Sequence, residues 1–469
     1  MSLWVALGIT SLRSAILVAI AIPLCLWMKT FFQTNQRFRS LAWLLLLVPV
    51  VAPRMLTGFG YANFSLSLVP YPVWNELLYA VLLLFMIVPV GTVMCYFAPP
   101  APISKDAMHC LTLAESESRF STALRGPGSQ FVAAAGLMFV LAFQEFELAS
   151  LMGVSSWTVW LFDAQAGGLI LTESLRYALL PVLCELLIVA ATGWIVWKNA
   201  GLVARPQEAH RQMTTLGHKA AWSYLLVSLV LFCCVPWSFI LQAAVSGLPQ
   251  LSNNYTIGND IVAGCLFAFL ATALALALAG LFVIRIEKRH STGLRSIVCL
   301  VGLPGLFGSL VLGLSVLFVF QLSPLQNLYG TPLPWVLGSV LFLVPRALLV
   351  MLLLMVVKSK EAGHLTQLLA KSGRKTQRAQ ARELQWRTSW ALHFVAFVLL
   401  FFWVYTDLTT AAILAPPGIV TAPVRLYNLM HYGQSAVLSA MVVATFGLPA
   451  LAFGVTVLFR KPLQKVLVP

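Results

Sequence analysis

Charge is scarce in this sequence. Only 10% of its 469 residues are Asp, Glu, Lys or Arg, where a soluble domain carries about 25%. With 60% of the residues hydrophobic, that scarcity excludes a water-soluble globular protein. Phosphate-binding loops are absent as well: GxxxxGK[ST] does not occur, nor does the dipeptide Gly-Lys, so no P-loop can cradle a nucleotide. Neither HExxH nor GxSxG is found. The seven histidines, at 109, 210, 218, 290, 364, 393 and 431, fall mostly in basic loops, none at ligand spacing from another. Eight cysteines, at 25, 95, 110, 184, 233, 234, 265 and 299, form no CxxC pair and no legible disulfide framework. The chain is therefore read as neither an enzyme nor a metal protein, with no cofactor of its own.

Long apolar runs are plentiful. At about 20 residues per bilayer crossing, the composition supplies ten or more transmembrane helices, and the reading is an all-α polytopic membrane protein. Runs of sufficient length cover roughly 7–28, 40–63, 74–97, 131–152, 173–197, 219–247, 260–286, 296–320, 335–357, 391–413 and 434–459, eleven in all. The first holds Arg13 and no small-residue cleavage site before the basic stretch Lys29 to Arg39, so it is read as a span and not a signal peptide. Prolines 49, 53, 89, 304 and 345 are expected to kink their helices.

The formal net charge is +15, which in a soluble protein would point to nucleic acid. Here the basic residues cluster in every second connection, from Lys29, Arg37 and Arg39 through Lys358 to Arg387 and on to Arg460, Lys461 and Lys465. The intervening connections 65–73, 246–259 and 321–334 hold no Lys or Arg. The positive-inside rule then places the amino terminus outside and the carboxyl terminus in the cytoplasm, and assigns no role to nucleic acid.

The spans repeat. The two longest polar segments, 98–130 and 358–390, each follow the third span of a five-span group. Pro89 and Pro345 stand 256 residues apart in those third spans, and Glu147 and Asp407 stand 260 apart at the ends of the fourth. Two five-span units in one orientation need an extra crossing between them, which 219–247 supplies. The expected architecture is 5+1+5, a parallel duplication, with halves at 1–200 and 259–469 and a linking region at 201–258.

Charges inside a membrane are costly. Arg54, Arg346, Glu145, Glu147, Glu185 and Asp407 therefore qualify as candidates for a translocation path. The alternative is structural: Glu145, Glu147 and Asp407 lie near enough to the outer interface to be hydrated, and each of the two arginines follows a proline that frees a backbone carbonyl.

Residues in both polar segments resemble the inner-membrane permeases of binding-protein-dependent ABC importers, particularly the fused two-half ferric-iron and thiamine type. The mark of that family is EAA, three residues, Gly, nine residues, then I-x-L-P. Leu124 and Pro127 fall at the spacing that puts Ala114 at the glycine position, and Gly373 itself is present 259 residues later in Leu-Leu-Ala-Lys-Ser-Gly. His109-Cys110 and Leu368-Leu369 stand where the paired alanines would be. The pattern extends to Phe143-Gln144-Glu145-Phe146-Glu147-Leu148 and to Tyr405-Thr406-Asp407-Leu408 with Val424-Arg425-Leu426.

The resemblance implies a permease subunit without a nucleotide site, in a bacterial inner membrane, importing a small solute such as ferric iron or thiamine. It implies two ATPase partners that bind ATP and Mg and dock at Ala114, Leu124, Pro127, Lys371, Gly373 and Arg374, and a periplasmic solute-binding protein that delivers the cargo. An ion-coupled secondary transporter, holding its ion at Glu147, Asp407 or Glu185, is the reading from a different class.

Overall fold

The computed structural model describes residues 2–35, 37–98, 128–200, 213–254, 257–288, 300–357, 375–430 and 436–458, with 110, 113, 298, 368 and 369 singly or in pairs. Every regular element among the described residues is helical, and none is a strand. Seven helices are long and apolar enough to cross a bilayer, or ten crossings if each of three bent helix pairs is one, and Ala436–Gly447 is a shorter apolar helix. The chain is thus an all-α multi-pass membrane protein. The expected ATPase-docking residues Ala114, Leu124, Pro127, Lys371, Gly373 and Arg374 lie outside the described residues.

Two compact units divide the chain, Met1–Gln242 and Ala243–Pro469. Unit 1 holds α1 (Leu3–Thr34), α2 (Arg39–Val51), α3 (Arg54–Ser67), α4 (Pro72–Phe97), α5 (Ser129–Phe143), α6 (Glu147–Leu151), α7 (Trp157–Ala166), α8 (Leu171–Ala200) and α9 (Thr215–Leu229). A π-helical turn at Val230–Cys234 leads into α10 (Val235–Asn254), within which the division falls. Unit 2 holds α11 (Ile257–Lys288), α12 (Gly308–Gln321), α13 (Leu333–Val357), α14 (Lys375–Tyr405), α15 (Leu408–Leu414), α16 (Ala422–Met430) and α17 (Ala436–Leu458).

Six helix pairings recur in the two units, while α5 also lies against α8 in unit 1 and α12 against α13 in unit 2. In unit 1, α1 lies against α4 and α5, α4 against α5, α3 against α6, and α7 against α1 and α8. In unit 2, α11 lies against α13 and α14, α13 against α14, α12 against α15, and α16 against α11 and α17. Small side chains make these approaches possible, because helices in lipid associate by close packing and not by a hydrophobic drive. Ala271, Ala275 and Ala279 recur at four-residue spacing on α11 and are buried with Leu343, Val344 and Ala347 of α13. In unit 1, Ala21 and Cys25 of α1 are buried among Leu82, Leu83 and Met86 of α4 and Met138 of α5. Aromatic packing closes one end of unit 1, where Phe32 stacks on Trp43 with ring centroids 4.0 Å apart and Phe31 meets Trp222 of α9 edge-on.

Several runs expected as continuous helices are broken, and the breaks have local causes. The run 40–63 bends by 73° between α2 and α3, where Pro53 has no N–H to donate. The run 296–320 bends by 119° between Leu300–Leu306 and α12. Pro304 opens a 3-10 turn there, and Gly308 takes φ +82°, a left-handed conformation that only glycine adopts freely. The run 391–413 bends by 55° after Tyr405. Of the five prolines expected to kink, Pro53 and Pro304 mark breaks, whereas Pro49, Pro89 and Pro345 lie inside continuous helices.

Candidate functional site

The breaks in α5–α6 and α14–α15 carry acidic side chains into the interior of each unit. In unit 1 the helix stops at Phe143 because the next carboxylate competes for backbone donors. Oε1 of Glu145 accepts from Leu148 N at 2.7 Å, and Oε2 accepts from Ala149 N at 2.9 Å, so the side chain caps the short α6. Tyr79 of α4 donates its hydroxyl to Oε2 at 3.0 Å. The Glu145 carbonyl accepts from Thr158 Oγ1 at 2.8 Å, and the Phe143 carbonyl accepts from Trp157 Nε1 at 2.8 Å. The break is thus tied to the start of α7, which Ser156 caps by accepting from Val159 N. Glu147, the first residue of α6, is 8% exposed.

Arg13 of α1 completes the network. Its Nε pairs with Glu76, its Nη2 donates to the Ser155 carbonyl at 2.7 Å, and its guanidinium lies 4.9 Å from the Tyr79 ring centroid. The Arg13 side chain is 7% exposed against 41% for Glu76. Cost on mutation should follow that asymmetry. Arg13→Met is expected to destabilise the purified protein by about 2 kcal/mol, since it strands the Ser155 carbonyl as well as the carboxylate. Glu76→Gln is expected to cost less than Arg13→Met, because the amide keeps an acceptor oxygen for Arg13 Nε and the Ser155 contact survives. Thermal midpoints in one detergent rank the two, and equal losses would mean that the Ser155 contact contributes nothing.

Unit 2 builds the equivalent place differently. Early in α11 and α13, Phe267 packs on Trp335 with ring centroids 4.1 Å apart, an aromatic pair where unit 1 has an ion pair. The charged link moves outward along the chain to Asp260 of α11 and Arg425 of α16, joined through both Nε and Nη2. Tyr405 ends α14 and donates to the Thr445 carbonyl at 2.9 Å, tying the break to α17. Asp407 is the N-cap of α15 and is 7% exposed, and its Oδ2 has no hydrogen-bond partner. Since α5 ends at Phe143 and α14 at Tyr405, the helix ends bring Asp407 into register with Glu145, two residues before the Glu147 that sequence spacing matches to it.

A small pocket opens beside Asp407, lined also by Gly264, Phe267, Trp335, Ser339, Tyr405 and Thr421. Its free core of about 10 Å³ is the room that one water molecule needs.

The remaining candidates are dispersed. Arg346 of α13 donates to the carbonyls of Phe342 at 2.5 Å and Gly305 at 3.2 Å, and its guanidinium lies 3.7 Å from the Phe342 ring centroid. It supplies donors to backbone near Pro345 and Pro304, the structural role that sequence reasoning weighed. Arg54 opens α3 directly after Pro53, half-buried. Glu185 of α8 is fully buried and interacts with the side chain of Gln144 at the α5–α6 break. Sequence reasoning passed over the pairs Arg13–Glu76 and Asp260–Arg425. Opposite charges at the edges of two apolar runs were the available signal, but partners 63 and 165 residues apart are matched only by the fold. Among the described residues no group of three or more His, Cys, Asp or Glu could hold a metal ion.

Comparison with known proteins yields nothing similar: no family model matches, and neither a curated protein nor a solved structure does.

Proposed function

We propose that this chain is the permease subunit of an ATP-driven importer of the ABC class, two pseudosymmetric halves in one polypeptide arranged 5+1+5, with the amino terminus outside and the carboxyl terminus in the cytoplasm. The observation that carries this reading is the repeated packing plan. Six helix pairings recur in both units, and each unit has a helix broken at a buried carboxylate. The sequence places a long basic segment just before that broken helix in each half. Two equivalent segments on one membrane face suit a symmetric pair of partners, and two ATPase subunits are such a pair. Nucleotide binding in the partners draws the docking segments together, and the halves open toward a solute-binding protein on the far side. The chain itself supplies no catalytic group. Ferric iron or thiamine is the cargo class that the family resemblance favours.

Purification of the tagged chain from its native membrane in mild detergent tests the assignment. Recovery of a P-loop ATPase at about two copies per chain supports it. Recovery of the chain alone, with transport that follows an ion gradient and ignores ATP, overturns it in favour of a secondary transporter. Docking is tested separately by Gly373→Trp and Ala114→Trp. Each is expected to abolish transport and ATPase recovery while membrane insertion and yield stay at the wild-type level. Undiminished transport in both variants would place the docking surface elsewhere.

A further inference from the structure

One end of unit 1 carries exposed cations on a floor of aromatic rings. Arg37 directly precedes α2, Arg39 opens it, and Lys219 lies in the first turns of α9, all three exposed. Arg39 donates to the Tyr96 hydroxyl at the end of α4, and its guanidinium lies 5.3 Å from that ring centroid. The Arg37 guanidinium lies 5.2 Å from the Phe38 ring centroid. Phe38 in turn meets Trp222 edge-on, with centroids 6.4 Å apart, and Trp222 shares a face of α9 with Lys219, three residues before it. His218 stands 3.2 Å from Thr34 Oγ1, which ties the start of α9 to the end of α1. Four helix ends thus hold one group of cations in place. The sequence around them, 26–44, 93–98 and 213–223, contains no Asp or Glu to neutralise it.

We propose that this patch binds the phosphate head group of an anionic phospholipid, with an acyl chain lying along α2. The surface that continues from the cations decides the partner. Leu44, Leu47 and Val51 follow Ser40 at helical spacing on one face of α2 and are 64%, 37% and 45% exposed. From Ser40 to Val51 that stripe is about 16 Å long, close to the roughly 15 Å of one leaflet of the hydrocarbon core. It stops where the chain bends by 73° into α3. A dissolved anion or an acidic protein surface would use the cations and leave the stripe bare, whereas a phospholipid covers both. Guanidinium groups match phosphate oxygens with paired donors. Cations without acidic neighbours favour a head group of net negative charge over a zwitterionic one. Trp43, Tyr96 and Trp222 are half-buried around the patch, as aromatic side chains are where hydrocarbon meets head groups.

The lipid would act as a clamp. α2 packs against α4 and α9, and a head group shared by Arg39 and Lys219 fastens the start of α9 to the start of α2. Such a site is independent of the importer reading, because it requires only a bilayer that contains anionic lipid.

The test uses the full chain purified in detergent and titrated with dioleoylphosphatidylglycerol, with dioleoylphosphatidylcholine, or with inorganic phosphate at constant ionic strength. Native mass spectrometry is expected to show saturable retention of the glycerol lipid in preference to the choline lipid. The glycerol lipid alone is expected to raise the thermal midpoint by about 2 °C or more. Arg39→Gln and Lys219→Gln should each lower its affinity several-fold, and together at least about tenfold. Arg176→Gln removes an exposed charge from α8 and should leave that affinity unchanged. Absence of saturable glycerol-lipid binding to the wild-type chain would overturn the proposal regardless of how the variants fold. Equal stabilisation by the choline lipid, or equal weakening by Arg176→Gln, would overturn it by reducing the effect to general attraction. Equal stabilisation by inorganic phosphate would overturn it in favour of a dissolved anion.

Discussion

Gly305→Ala is expected to destabilise unit 2 by about 3 kcal/mol or more, the upper range for overpacking a tight contact. A Cβ at this position would stand 2.2 Å from the Leu341 carbonyl oxygen, 2.8 Å from Pro345 Cγ and 2.9 Å from Pro345 Cδ. None of these is the end of a flexible side chain that could swing away. The Leu341 carbonyl is also the one that Pro345, lacking an N–H, leaves without its helical donor. The turn at Pro304–Leu306 thus rests on the proline-opened stretch of α13, and Arg346 fastens the contact by donating to the Gly305 carbonyl at 3.2 Å. A methyl group must push the turn off the helix and loosen that bond as well. Gly302→Ala is the control, since its Cβ meets only Leu348 Cδ1 at 3.9 Å. It should leave stability within about 1 kcal/mol, because alanine favours helix over glycine. Thermal midpoints and the yield of monodisperse protein in detergent measure both. Equal behaviour of the two variants would show that the turn yields freely.

Glu145→Leu is expected to cost at least about 3 kcal/mol, because it strands three donors at once, each worth about 1 kcal/mol or more when left unpaired in a buried place. These are the amides of Leu148 and Ala149 and the Tyr79 hydroxyl. The cost is expected to exceed that of Glu145→Gln by at least about 1 kcal/mol, because the amide keeps one acceptor oxygen for the α6 amides. Asp407→Asn, at the equivalent break in unit 2, keeps one oxygen to accept from the Thr409 and Thr410 amides and has no hydrogen bond to lose at Oδ2. It should therefore leave stability within about 1 kcal/mol of the wild type. The pair of results separates a carboxylate whose two oxygens are both held by donors from one with a single oxygen engaged. If Glu145→Leu proved as mild as Asp407→Asn, the capping network would not be what maintains the break.

How much of this was legible beforehand differs between levels. The membrane class followed from composition and run length alone, because a bilayer demands about 20 apolar residues per crossing whatever the neighbours are. Among the described residues the runs fall mostly in helix, seven of them long enough to cross alone and up to ten if each bent pair is one crossing. Their internal breaks were less visible, because hydropathy averages over a window and does not register a cap. Pro53 announced one break, but Glu145 and Asp407 read as charges in a membrane and not as helix stops. Pairing was beyond reach. Arg13 and Glu76 are 63 residues apart, Asp260 and Arg425 are 165 apart, and only helix packing selects one partner among many.

The candidate site shows the same divide. Asp407 was recognisable as an intramembrane acid, and its repeat relation to the first half could be read to within two residues. Thr421, Ser339 and Gly264 carried no signal, since hydroxyls and small residues are ordinary in membrane helices.

By itself the sequence determined the helical class, the number of apolar runs and the recurrence of their order, since each is a property of residue type and spacing along the chain. Only the tertiary structure decided that Tyr79 of another helix completes the donors to Glu145, while Oδ2 of Asp407 is left without one. Those two carboxylates differ in what other helices bring to them, and that depends on packing in three dimensions rather than on either residue's own neighbours in the chain.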